Sequence, residues 1–301
     1  MRRRPVALLI LAAMCWGGGT ALSKEAVGEV PPVTLLTAQL AVSVGFLTLI
    51  GRRSGAEPGF RGTDRRLARL GLLNPGLAYA LSLLGLSQVT ASLSVLLWAG
   101  EPVLILVLAV LLLRERPGLA LVVLSAVALG GLALVAWDPA ASGAIPGIAL
   151  TLAGVACCAL YTVGSRRWLS DVASTLDVVA AQQRWALAFA VVLLGVAASA
   201  GAQVAPTAVS PLGIASTVAS GLLYYGLAYW CYLGGLRAVP ASVAAASFYL
   251  IPVFGVAAAL PLGDRLSAGQ WVGAAVVVGA VAAITLRTAR VDGAPEVAPT
   301  A

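Results

Sequence analysis

The stretch GLAYALSLLGLSQVTASLSVLLWAGEP at residues 76–102 returns as GLAYWCYLGGLRAVPASVAAASFYLIP at 226–252, 150 positions later. Eleven of the 27 positions are identical, against roughly three by chance in a chain so rich in Ala, Leu, Gly and Val. The chain is one unit made twice. Both copies are apolar, so their function depends on how two such modules sit together and what they enclose.

Of the 301 residues, 60% are hydrophobic and 10% charged, far from the balance of a soluble domain. Crossing a ~30 Å hydrocarbon layer takes about 20 apolar residues at 1.5 Å each. Ten stretches of that kind lie near 5–25, 32–51, 68–87, 91–113, 118–136, 146–165, 176–199, 211–236, 240–262 and 267–287. Strands of a membrane barrel alternate in character over about ten residues, so continuous runs of this length exclude one. The expected fold class is an all-α polytopic membrane protein with ten transmembrane helices. The first run follows Arg2, Arg3 and Arg4 and has no small-residue cleavage site before Lys24, so it is read as a span and not as a removed leader.

Charge placement gives the expected topology. Sixteen of 19 basic residues fall on one side of this ten-span scheme: Arg2–Arg4, Arg52, Arg53, Arg61, Arg65, Arg66, Arg69, Arg114, Arg116, Arg166, Arg167, Arg237, Arg287 and Arg290. The positive-inside rule then puts both termini in the cytoplasm of a bacterial-type inner membrane. The net charge of +7 is spread through short loops and forms no nucleic-acid surface. Residues 288–301, with Pro295 and Pro299, read as a disordered tail. With no histidine, and four cysteines all inside spans, neither imidazole-based catalysis nor a metal-ligand spacing is available, and no cofactor is called for.

The repeat gives two five-helix units, 5–136 and 146–287. Trp16 and Gln39 are 23 apart in the first two helices, as are Tyr161 and Arg184 in the sixth and seventh. Five is odd, so the second copy enters the membrane from the opposite side. Inverted repeats of this kind belong to secondary transporters, whose substrate site lies near the midplane between the halves. An aromatic in the first helix of each half (Trp16, Tyr161), Pro102 and Pro252 in the fourth, and the endings Glu115-Arg116 and Asp264-Arg265 resemble the EamA family of drug/metabolite transporters. The resemblance spans 5–287. It implies a bundle in which helices one to four and six to nine line a central cavity, with five and ten at the periphery, and a substrate among small metabolites, amino acids including aromatic ones. Many members carry an Arg in the second helix of a half; this chain has Arg184 in helix seven and Gln39 at the matching place.

Glu101 is the sharpest single residue, because a carboxylate deep in a span costs about 2.5–3.5 kcal/mol on insertion scales. It serves to bind a substrate amine, to exchange protons, or to bond a neighbouring helix. Ser94, Trp98 and Glu101 share a face at helical spacing, as do Tyr225, Tyr229 and Tyr232. Tyr79, Phe248 and Tyr249 complete the expected cavity wall. Arg184 holds a substrate carboxylate or pairs with Asp177 seven positions earlier, and Gln39 offers an uncharged hydrogen-bonding group. Pro102 and Pro252 are expected hinges. The sequence therefore points to export or facilitated passage of small polar metabolites, amino acids first, by alternating access across the lipid bilayer. The alternatives are export of lipophilic cations or drugs, a channel, or an intramembrane enzyme. A monomer and a dimer both remain open.

Overall fold

A computed structural model describes residues 3–53, 65–86, 88–89, 97–135, 144–169, 174–206, 208–259 and 267–291. Helix α1 is Arg3–Val27 and α2 is Pro32–Arg53. Three pieces run end to end as α3: Arg65–Gly71, Leu72–Leu77 and Ala78–Leu86. Helix α4 is Glu101–Leu113, α5 Leu119–Val135, α6 Ile145–Trp168 and α7 Thr175–Ser199. Helix α8 joins Pro211–Ser220, Gly221–Leu227 and Ala228–Leu236. Helix α9 joins Ala241–Ala245, Ala246–Tyr249 and Leu250–Ala259, and α10 is Ala268–Val291. The last helix thus runs four residues into the expected tail. Residues 292–301 lie outside the described residues.

Six of these helices, α1, α2, α6, α7, α8 and α10, are long and apolar enough to cross a membrane, and Glu101–Leu113, Leu119–Val135 and Ala241–Gly255 are shorter apolar helices. Leu111, Leu119, Val192 and Leu212 point outward and are each more than 60% exposed, as side chains that meet lipid tails and not water would be. No β-strand occurs among the described residues.

The two halves interleave. Helix α1 packs on α8 and α9, and α6 packs on α3 and α4; α2 meets α8 as α7 meets α3; α2 meets α7, and α5 meets α10. Each pairing has its counterpart with the halves exchanged. Equivalent helices cross antiparallel: Thr37 bonds the Ala190 carbonyl while Arg184 bonds Thr48, and Gly131 abuts Gly273 while Gln270 bonds the Val135 carbonyl. That is the arrangement of two copies related by a two-fold axis across the bundle.

Glycines set how close the helices come. A Cβ on Gly71 would collide with the Gln182 backbone, and one on Gly221 would lie 2.9 Å from the Gln39 carbonyl oxygen. Gly76 sits against Phe189 as Gly226 sits against Phe46. Since 71 and 76 match 221 and 226, Gln39 matches Gln182 and Phe46 matches Phe189, an offset of 143. The equivalence of Gln39 with Arg184 is therefore corrected by two residues. Gly85 abuts Gly147 and Thr151 where Gly235 abuts Pro5 and Leu9, so Trp16 matches Cys158 and Tyr161 matches Gly19. A shared spacing of 23 does not fix register when ring identity is not kept between the halves.

The first half also reaches the second through two carboxylates. Glu29, in the turn after α1, accepts from the Ser210 backbone N–H (2.6 Å) and hydroxyl (2.7 Å) at the start of α8. Glu115, after α4, accepts from the backbone N–H groups of Ala241 (2.8 Å) and Ser242 (3.1 Å) and from the Ser242 hydroxyl at the start of α9.

Two outcomes follow for stability in detergent. Gly71→Ala and Gly221→Ala should lower the melting temperature by the overpacking cost of about 1–3 kcal/mol. Gly18→Ala and Gly45→Ala, whose new Cβ meets nothing within 4 Å, should be neutral or stabilising by up to about 1 kcal/mol; equal effects at all four would contradict the close crossings. The Ser210 N–H and then its hydroxyl hold the Glu29 carboxyl below the usual carboxylate range. A depressed folded pKa adds stability that is present above the ordinary carboxylate pKa and lost as pH falls through the depressed value. Wild type should therefore out-melt Glu29→Gln at neutral pH, with the gap closing only in strong acid. A gap independent of pH would rule this out.

Candidate functional site

The third helix of each half is irregular at the same place. Gly221–Leu227 is a π-helical turn, Leu72–Leu77 is a kink at which Asn74 leaves helical geometry, and both end inside the repeated Gly-Leu-Ala-Tyr. In α3 the cause is Pro75, which has no N–H to donate and forces the preceding residue out of helical geometry. Asn74 accordingly takes φ −147°, ψ 124°, and its side chain is buried. In α8 the wide turn spans Tyr224 and Tyr225, and it presents both rings to Tyr79 at centroid distances of 5.7 Å. Local π turns of this type recur at functional sites.

Two hydrogen bonds cross between the halves here. Tyr229 donates to Asn74 Oδ1 at 3.0 Å, and Tyr79 donates to the Tyr224 hydroxyl at 2.6 Å. Under the 150-residue offset Tyr79 matches Tyr229 and Asn74 matches Tyr224, so the two bonds are one interaction seen twice. Around them the aromatic residues form a continuous body. Trp98 stacks on Tyr79 at 6.3 Å and 27°. Trp16 of α1 meets Tyr229, Tyr232 and Phe248 edge-on at 5.3–5.4 Å, and Tyr161 meets Tyr229 at 6.0 Å. Tyr161, Tyr229 and Tyr232 are almost wholly buried, while Tyr79, Trp98 and Tyr224 are half-buried. The Trp16 indole N–H lies inside this cluster with no hydrogen-bond partner among the described residues. A buried donor left in that state costs about 1–3 kcal/mol.

Glu101 opens α4 instead of lying mid-helix. Pro102 fits the first helical turn because the N–H it lacks has no partner there anyway. Leu97 and Trp98 are helical, and the turn at Ala99 and Gly100 separates them from α4, so Pro102 sits in the first turn after a break in the chain's helical course. Glu101 follows Trp98, which stacks on Tyr79, by three residues. Ser94, expected on the same face, lies outside the described residues. Pro252 follows the tight 3-10 turn Ala246–Tyr249, where its ring blocks the regular helical bond to residue 248.

Three expected site residues are committed elsewhere. Arg184 donates to Thr48 between α7 and α2 at 3.2 Å and is not paired with Asp177, whose Oδ1 is buried without a partner among the described residues. Gln39 is spent on Ser23 (2.9 Å) and Ser220 (2.7 Å). Tyr249 packs in a second core with Ala128, Leu132, Val277 and Val281 of α5 and α10, one residue past Phe248 and on the other side of α9. Tyr225 and Tyr161 also brace the frame: Gln183 donates to the Tyr225 carbonyl, and Tyr161 donates to Gln182, which donates in turn to the Leu67 carbonyl. Asn74 and Tyr224 were missed in the sequence. Asn-Pro inside an apolar run was the available sign for the first.

The model of the EamA-like transporter family matches residues 3–137 and again 145–286. A solved protein crystal structure shares the fold at TM-score 0.82 and 19% identity, covering 97% of this chain and all of that one. Comparison with curated proteins gave no significant match.

Tyr229→Phe should leave Asn74 Oδ1 buried without its donor and lower stability by about 1–3 kcal/mol. The double variant Tyr229→Phe, Asn74→Leu should recover part of that loss, because both polar partners are then gone. A double variant as unstable as the summed singles, measured by thermal unfolding in detergent, would show that the bond is not the cause.

Proposed function

The chain belongs to the EamA-like transporter family, and from that premise we infer that it is a secondary transporter that passes small amino acids, aromatic ones included, through the interface between its halves. The observation that carries this reading is the Trp16 indole N–H, left without a partner among the described residues inside an aromatic cluster drawn from both halves, together with the Glu101 carboxylate three residues after Trp98 of that cluster. An amino acid carries one acceptor group and one cation. Its carboxylate takes the Trp16 N–H, its ammonium takes Glu101, and a ring-bearing side chain stacks among Tyr79, Trp98, Tyr224 and Tyr229. Hydrogen bonds to charged groups contribute about 1.5–3 kcal/mol each, enough for binding that saturates yet releases.

Ten spans in two oppositely inserted units, 5–136 and 146–287, with both termini cytoplasmic in an inner membrane, complete the proposal. The sequence offers no second carboxylate deep in a span to serve with Glu101 in a proton relay, which favours facilitated passage over obligatory proton exchange. The competing reading is export of lipophilic cations, which aromatic faces around a single carboxylate also suit.

Purified protein in proteoliposomes, tested for counterflow with aromatic amino acids, the matching amines and the matching carboxylic acids, separates these. Trp16→Phe should weaken amino-acid transport at least tenfold, about 1.4 kcal/mol, and spare the amines. Glu101→Gln should weaken amino acids and amines alike and spare the acids. Amine transport with a silent Trp16→Phe would favour the lipophilic-cation reading, and no saturable counterflow with any of the three classes would end the amino-acid one.

A further inference from the structure

The two carboxylate clasps described above lie at opposite ends of the bundle. Helix α1 runs antiparallel to α8, with Gly19 against Tyr224 and Leu9 and Pro5 against Gly235. Glu29, beyond the C-terminal end of α1, therefore meets the beginning of α8 at one end. Helix α9 begins beside the N-terminal part of α1, where Val6 and Leu9 lie with Val243, Ala246 and Ser247. Glu115, on the start of α9, therefore marks the other end. With 25 residues in α1, the ends are about 37 Å apart at 1.5 Å per residue, and the aromatic cluster lies between them.

Both clasps join the first half to the second. Each places a carboxylate on backbone N–H and serine hydroxyl donors at a helix start, where the helix dipole and charge-assisted bonds add together. Each also rests on a special fit. Glu29 lies over Gly213, where a Cβ would collide with its carboxylate. Glu115 is aimed by Arg114, whose φ of 55° is left-handed, a conformation that L side chains rarely adopt. Around the Glu29 clasp, Thr34 also bonds the Val204 carbonyl and Val209 packs on Ala26, Val30 and Leu35.

We propose that Glu29 and Glu115 are the two gate latches of the transport cycle, released one at a time, so that the aromatic cluster opens to one side while the opposite latch holds the halves together. The closed form seen here, with both clasps made, is the occluded intermediate. The assignment rests on the transporter reading, but its test needs no substrate. Spin labels at Val27 and Leu212, both exposed, report the Glu29 end. Labels at Gly118, with open space around it, and at exposed Ala238 report the Glu115 end. The labels are placed in protein whose native cysteines are replaced by Ala and which is reconstituted in lipid nanodiscs.

Glu29→Ala should lengthen the Val27–Leu212 distance distribution and leave Gly118–Ala238 unchanged; Glu115→Ala should do the reverse. The milder Glu29→Gln and Glu115→Gln, which retain one acceptor oxygen, should shift the same ends by less and serve where an Ala variant fails to fold. No change at the cut end, or both ends opening together in a single variant, overturns the proposal. Transport that fails in the counterflow assay while the distances respond as stated would instead count against the substrate reading.

Discussion

The hydroxyl of Tyr229 on the carboxamide of Asn74, repeated as the hydroxyl of Tyr79 on that of Tyr224, is the interaction on which the arrangement of the bundle depends. A polar group in the middle of an apolar helix bundle has no water to fall back on and must find its partner on another helix. Here the partners lie across the boundary between the halves, on α3 and α8, the helices that carry the repeated Gly-Leu-Ala-Tyr. That requirement fixes how the halves meet. It brings Gly76 against Phe189 and Gly226 against Phe46, and it carries Trp16 and Tyr161 into the rings of α8. The kink before Pro75 turns Asn74 inward, and the wide π turn of α8 does the same for Tyr224.

The repeated stretch at 76–102 and 226–252 already held the two-unit plan, and the apolar runs held the all-helical class, because burial in lipid leaves few alternatives for a chain so apolar. Helix irregularity was not legible in the same way. Spacing arguments assume 3.6 residues per turn, and a π turn adds a residue without marking the sequence. The face drawn through Tyr225, Tyr229 and Tyr232 therefore omitted Tyr224, which the wide turn brings to Tyr79. Tyr249 was misplaced for a related reason: the 3-10 turn at Ala246–Tyr249 winds more tightly, and a residue next to Phe248 ends in the core of α5 and α10.

Charge was legible as a sign of importance but not of role. Arg184 and Gln39 were singled out because polar groups inside spans need explanation, and the explanation is structural: Thr48 takes one, and Ser23 and Ser220 take the other. Among the described residues the Trp16 N–H is one of several buried donors without a partner, with the Ser43, Ser165 and Tyr249 hydroxyls, and its mostly apolar side chain looked like a wall residue. Of these donors it is the one on a ring packed against Tyr229, Tyr232 and Phe248.

The symmetric and asymmetric parts of the interface divide the work. The crossing hydrogen bonds, the glutamines at 39 and 182 and the glycines at 71 and 221 obey the two-fold relation, as a frame that must tolerate exchange of roles between halves requires. The residues left with free chemistry break it. Trp16 is matched by Cys158, and Glu101 by Ile251. A perfectly symmetric pair of halves would hold a ligand equally well in two mirrored poses, and the states open to either side would be equal in energy. On the proposed reading, placing the indole N–H and the carboxylate in the first half alone gives the bound ligand one orientation and makes the two states unequal in energy.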